Sequence, residues 1–253
     1  MRNPRATSLQ LNVWHNSCRM RCWRFLLAGL FIVFSLPSPL HSQAARDGTD
    51  SSVSFALDFP GSEPERYSIS VQSDGHATYE CSAKISPESD ERETYRWEFS
   101  TSAFTLTRIF DLAAQAHYFA GKIDSGKRSL AFTGEKKLTY HDAQRDLTAT
   151  YNYSNLAAVQ QLTSLFQNLA ATLEYGRRVA YFHRYQKLAL DEELKRMETQ
   201  AHNNELGELQ AVREVLQRIV DDPSVINVVR ARAQRLLDMG QSGASGGHSS
   251  KSY

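Results

Sequence analysis

The feature that most restricts the fold is a two-residue alternation of apolar and polar side chains in four segments between residues 53 and 99. Val53, Phe55, Leu57 and Phe59 share one face; Tyr67, Ile69 and Val71 another; then Ala77, Tyr79, Cys81, Ala83 and Ile85; then Tyr95, Trp97 and Phe99. A period of two is the mark of a strand with one buried side, and the polar residues between these positions predict an antiparallel sheet wet on its other face. The turn at Ser73, Asp74 and Gly75 follows from the same pattern. Residues opposed in a hairpin lie on one face, so a two-residue Asp-Gly loop would set Val71 against Thr78 and mix the faces. A three-residue loop pairs Val71 with Ala77, Ile69 with Tyr79 and Tyr67 with Cys81, and it places Gly75 where a left-handed conformation is needed.

Helical spacing follows. Ser100, Thr101 and Ser102 offer caps, Leu106, Ile109, Phe110 and Ala113 form a stripe, and Gly121 supplies a stop. The plan then recurs. Leu130 and Phe132, Leu138 and Tyr140, and Leu147 to Tyr153 predict three strands, after which Val159, Leu162, Phe166, Leu169 and Leu173 mark a helix. The run Trp97-Glu98-Phe99-Ser100 with Ala103 corresponds to Tyr151-Asn152-Tyr153-Ser154 with Ala157 at an offset of 54 residues. We expect two degenerate strand-strand-strand-helix copies behind one extra strand. Trp97 and Tyr151 should then point toward helices on one face of one sheet.

The fold class expected is α+β: an antiparallel sheet of about seven strands (βββ-β-α then βββ-α) with helices on one face, followed by a carboxy-terminal helical segment. The Asp-Gly hairpin, the aromatic strand, the helix closing on Tyr118 and Phe119 and the second hairpin-and-helix set resemble uncharacterised α+β domains of exported bacterial proteins, over roughly residues 53–174. That resemblance implies a compartment and a fold type, and no chemistry.

Gly176 is expected to end or kink the second helix, after which residues 176–239 form a helical extension outside the sheet's core. Leu209, Val212, Leu216 and Ile219 make one stripe, Asp222 and Pro223 a cap, and Ile226, Val229, Ala233 and Leu236 the next. Residues 240–253 are mostly Gly and Ser and read as a disordered tail.

The start of the chain reads as an export signal. Residues 25–36 are almost wholly apolar yet fall short of the ~20 residues a bilayer span requires. Arg19, Arg21 and Arg24 precede them, and Ser42-Gln43-Ala44 offers small residues for cleavage after Ala44. A start at Met20 in place of Met1 would give a signal of ordinary length. Residues 1–44 are thus expected to be a signal peptide, with 45–175 the α+β domain and the mature protein periplasmic or extracellular. Cleavage removes five arginines and no acid, so the formal charge moves from +1 to −4. A mildly acidic chain has no overall attraction to nucleic acid or to an anionic membrane. Cys18 and Cys22 leave with the signal, and Cys81 alone cannot cross-link the chain to itself.

Motifs that spell chemistry fail on context. Gly121 to Lys127 fits seven places of a phosphate-binding loop, but Arg128 stands where Ser or Thr must reach magnesium, and a helix precedes where a strand is needed. Gly243-Ala244-Ser245-Gly246-Gly247 spells a serine-hydrolase elbow inside the tail. His76, His117, His141, His183, His202 and His248 lack ligand spacing, and His141-Asp142 reads as a solvated turn. Cys81 reads as a small buried hydrophobe. In residues 177–185 Tyr181, Phe182 and Tyr185 form a packing stripe beside solvated arginines. Asn152-Tyr153-Ser154 is a glycosylation sequon by letters, and Asp90-Glu91 and Asp191-Glu192-Glu193 read as solvated acids. No residue is assigned a catalytic, cofactor-binding or metal-binding role, and no cofactor is expected. The sequence favours an exported, non-catalytic binding or assembly module with a protein partner on the carboxy-terminal helices; the alternative is an envelope or secreted hydrolase.

Overall fold

The computed structural model describes residues 51–84, 89–127 and 129–245. The segment expected to be a signal peptide, the cleavage expected after Ala44, Ile85, Arg128 and the last residues of the tail lie outside them. Six strands form one antiparallel sheet: β1 (Ser52–Asp58), β2 (Arg66–Gln72), β3 (His76–Lys84), β4 (Arg92–Ser100), β5 (Glu135–His141) and β6 (Asp146–Tyr151), in the order β4-β3-β2-β1-β5-β6. The β2–β3 hairpin has the register derived from alternation, with Val71 opposite Ala77, Ile69 opposite Tyr79, Tyr67 opposite Cys81, and Gly75 at φ 90°. Face matching extends across the sheet, so that Trp97, Tyr79, Ile69, Phe55, Leu138 and Ala149 form one transverse row. The neighbouring row of Tyr95, Cys81, Tyr67, Leu57, Lys136 and Tyr151 is tipped with polar atoms at every position but Leu57.

The strand expected at Leu130 and Phe132 is absent, which corrects the count to six. Its backbone is satisfied locally instead: Asn152 accepts from the Thr133 amide at 3.0 Å and donates to the Ala131 carbonyl at 3.0 Å. Without a ladder partner Leu130 and Phe132 remain exposed. The second copy thus has two strands, not three. What survives of the repeat is position, since β4 and β6 are the two sheet edges and each leads into a helix.

Those helices are α1 (Ala103–Gln115) and α2 (Ala157–Tyr185), which pack against each other over the sheet. Ser102 caps α1, its hydroxyl accepting from the Thr105 amide at 3.2 Å. The helix stops at Gln115, before the expected glycine, because His117, Tyr118 and Phe119 turn left-handed at φ 51°, 55° and 68°. Such residues cost about 1–2 kcal/mol each. Burial of Phe119, a 4.6 Å ring contact between Tyr118 and Tyr140, and the Arg145 guanidinium 3.9 Å above Tyr118 offset that cost. Phe55 and Phe166 stack at 5.5 Å between sheet and α2. Tyr151 bonds Thr163 of α2 at 2.5 Å. Trp97 also points to the helices, where it meets α2 beside Gly176.

Gly176 neither ends nor kinks α2. A Cβ there would lie 2.4 Å from Val212 Cγ1 and 3.3 Å from Trp97, so glycine permits close approach of a distant segment. That segment leads into α4 (Arg213–Asp221), with α3 (Leu190–His202) before it and α5 (Asn227–Ser245) after. Val212, Leu216, Ile219, Val229 and Leu236 belong to the same apolar cluster as Val53 and Phe55. The carboxy-terminal helices are therefore part of the core and not an arm outside it. Helix α5 also runs into the stretch expected to be disordered, because Gly240 packs on Leu209 and Gln210. Among the described residues no helix is long and apolar enough to cross a membrane.

Candidate functional site

Alternation along β3 turns Tyr79 and Cys81 toward α2, and helical spacing puts Glu174 and Arg177 on one side of that helix. Glu174 is only 4% exposed. Its Oε1 accepts from the Tyr79 hydroxyl at 2.6 Å and the Cys81 thiol at 3.3 Å, and its Oε2 accepts from Arg177 Nε at 3.1 Å and Nη2 at 2.9 Å. Burial, reinforced by the adjacent carboxylate, drives the Tyr79 hydroxyl far above its ordinary range and the Cys81 thiol up to about 12. Burial opposes the charge of Arg177, but Glu174 outweighs it and the guanidinium is held above its usual value. The carboxylate is committed to its donors and the thiol stays protonated, so the network fixes geometry and presents no activated nucleophile.

Arg177 also faces outward. Beside the network opens a cleft of about 520 Å³ between the β1–β2 loop, the loop end of the β3–β4 hairpin and the carboxy-terminal half of α2. Lys84, Arg92, Arg177 and Arg178 line it against Glu63 and Glu65, with Tyr181 and Phe182 as the apolar wall. Arg92 pairs with Glu63 at 3.3 Å and Glu65 at 3.1 Å; Arg178 pairs with Glu193 at 2.6 Å and lies 4.5 Å over the Tyr175 ring. Arg177 Nη1 donates to the Lys84 carbonyl over a long 3.4 Å, and Arg177 is among the residues that line the cleft.

These positions revise the reading of residues 177–185. Arg177, expected in solvent, is largely buried, whereas Tyr185, expected to pack, is 61% exposed. Glu193 is likewise not solvated but buried against Arg178, and Asp191 meets Arg232 at 3.3 Å. Glu174 went unnoticed because a lone Glu in a long helix carries no motif. Its one cue is that Glu174 and Arg177 continue the stripe of Phe166, Ala170 and Leu173, which turns an i,i+3 ion pair inward.

Other sequence features have local structural duties. Cys81 is buried, as its strand face predicts. The Gly121–Lys127 stretch is a turn in which Asp124 accepts from the Gly126 and Asn152 amides, at 2.6 Å and 2.9 Å. Asp142, beside His141, latches the β5–β6 turn through Arg145 at 2.6 Å. Lys136 is buried, its amine donating to Thr133 and Asn152 carbonyls at 3.1 Å and 3.0 Å, so it pins the irregular segment before β5. His183 and Lys187 both reach Asp222, at 2.8 Å and 2.7 Å, and Lys187 also touches the Ser224 hydroxyl. Lys187, and after it Ser224 and His183, hold the Asp222 carboxyl far below its usual range. The Ser224 hydroxyl donates to Asp222 at 2.6 Å, so this group is a clasp between helix ends in which no free base faces the serine.

The fold is that of an α+β protein with one six-stranded antiparallel sheet covered by helices. Set against known proteins, the chain matches no family model and no curated protein.

Proposed function

We propose that this protein is a non-catalytic binding module, exported after loss of residues 1–44, and that its ligand enters the cleft beside Arg177. The observation that supports this reading is the double role of Arg177: a buried carboxylate holds the guanidinium in place while the residue lines a cleft with further cations and two aromatic rings. A fixed guanidinium beside an apolar wall suits a small ligand with one anionic group and a flat apolar body. The volume of about 520 Å³ lies within the range of small-molecule sites. A protein partner on the carboxy-terminal helices would meet Tyr185, Leu188, Ile226 and Val228, the exposed apolar residues at the helix junctions, because the long stripes of α4 and α5 face inward.

Equilibrium dialysis with benzoate and phenyl phosphate, against uncharged benzyl alcohol, tests the cleft. The reading requires saturable binding of at least one anion in preference to the alcohol, weakened about tenfold or more by Arg92→Ala and by Phe182→Ala, a loss of roughly 1.4 kcal/mol. Binding of neither anion, or binding indifferent to both substitutions, overturns it.

A further inference from the structure

The two sheet edges differ in what covers them. At β6 the loop before β5 folds over the strand end, where Ser125 donates to the Tyr153 carbonyl at 2.8 Å and Asp124 accepts from the Asn152 amide. At β4 the backbone pairs only with β3 among the described residues, and nine residues of strand present a free outer edge. Native proteins guard such edges or use them for strand addition.

The side chains of β4 distinguish the two uses. On the open face run Thr94, Arg96 and Glu98, with Arg96 paired to Glu80 on β3 at 2.5 Å and to Glu98 of its own strand at 3.2 Å, both exposed pairs able to exchange partners; on the helix-covered face run Tyr95, Trp97 and Phe99, of which Tyr95 and Trp97 are only half-buried. Turned antiparallel on itself about Trp97, the strand places Arg96 opposite Glu98 of its copy on both sides of the axis. It also sets Trp97 against Trp97 and Tyr95 against Phe99. Registers centred on Arg96 or Glu98 oppose like charges, and one centred on Tyr95 puts Glu93 against Trp97. Directly opposed side chains are close enough for such pairs to decide register.

We propose that β4 is a homodimerisation edge, pairing antiparallel with β4 of a second copy about a two-fold axis at Trp97 to form one continuous sheet twice as wide. Charge complementarity selects the occupant: the strand is complementary to its own inverse, with unlike charges outside and aromatic rings inside.

Sedimentation velocity of the purified protein, from about 1 to 100 µM, tests the pairing over the range expected of a small interface. The wild type should show a reversible monomer–dimer equilibrium. R96E and E98R should each weaken it tenfold or more, because each sets like charges across the axis. The double variant R96E/E98R should restore it, and so should an equimolar mixture of the two single variants, now as a heterodimer. Rescue by mixing separates pairing from damage to the monomer, whose fold is checked by circular dichroism. A monomer at every concentration, a dimer indifferent to R96E, failure of both rescues, or protection of β4 amides from exchange only in the presence of a different protein would each overturn the proposal.

Discussion

The two halves of α2 solve the same problem by different means. From Val159 to Leu173 the helix meets the sheet chiefly through apolar packing, Phe166 stacked on Phe55 among the buried Leu162 and Leu169, with the Tyr151–Thr163 hydrogen bond as its one polar contact on the sheet among those described; such packing tolerates side chains of similar volume best. From Glu174 onward it meets the same sheet through a carboxylate, a phenol, a thiol and a guanidinium. An apolar contact sets how strongly two layers adhere, while a hydrogen-bonded one also sets where they stop. Only the second half borders the cleft, and it is there that position matters.

The comparison breaks most visibly at its centre points. Phe166→Ala and Glu174→Ala should each cost about 3–5 kcal/mol in denaturant unfolding, the first by leaving a cavity and the second by leaving Arg177 and the Tyr79 hydroxyl buried without their acceptor. They should part company on rescue. Replacing Glu174 and Arg177 together by leucine should recover most of the stability, yet it should abolish anion binding in the cleft. If the double replacement binds anions as the wild type does, the polar half has no positional role.

A smaller effect is expected at the boundary between the halves. Gly176→Ala should cost about 1–3 kcal/mol, since the new methyl group overlaps Val212, and Val212→Ala should relieve it, a coupling readable in a double-mutant cycle. Additive costs would mean that the helix kinks instead. Smaller again, the Cys81 thiol should resist iodoacetamide in the native state up to strongly alkaline pH, given a pKa raised to about 12, and should react at once after unfolding. Rapid native labelling would open the polar half to redox chemistry. The smallest effect lies at the β5–β6 turn, where the Asp142 carboxyl is lowered from 3.8 to about 2 by Arg145 and then by the Gln144 amide. Its folded pKa is depressed, so its contribution is fully present above pH 3.8 and fades as pH falls through 2. A side-chain carboxyl titration by NMR with its midpoint near 4 would contradict the latch.

How far the sequence could lead is clear from particular residues. The β2–β3 register was legible because alternation is a local rule and Val71 and Ala77 obey it. Leu130 and Phe132 misled for a related reason: two apolar residues spaced by one satisfy the pattern, but what settles their backbone is Asn152, about twenty residues away. Gly176 looked like a break because glycine's local meaning is flexibility, and its true reason, Val212, is remote in sequence. The site suffered most. Glu174 and Arg177 show their role only once β3 lies beneath them, and the rest of the cleft comes from three separate stretches of chain.

Timing follows from the segment between Gly207 and Val212. Glu208 accepts from both the hydroxyl and the amide of Ser102, the Gly207 carbonyl accepts from Thr172 at 2.6 Å, and Val212 fills the notch left by Gly176. Ser102 and Glu208 are 106 residues apart. At ordinary translation rates the acceptor emerges about 5 to 20 s after the donor. Until then the cap of α1, the flank of α2 and the ring of Trp97 lack a common partner. A chain folding as it is made would therefore hold its sheet and first two helices as an unlatched assembly until residues 207–212 arrive to close them.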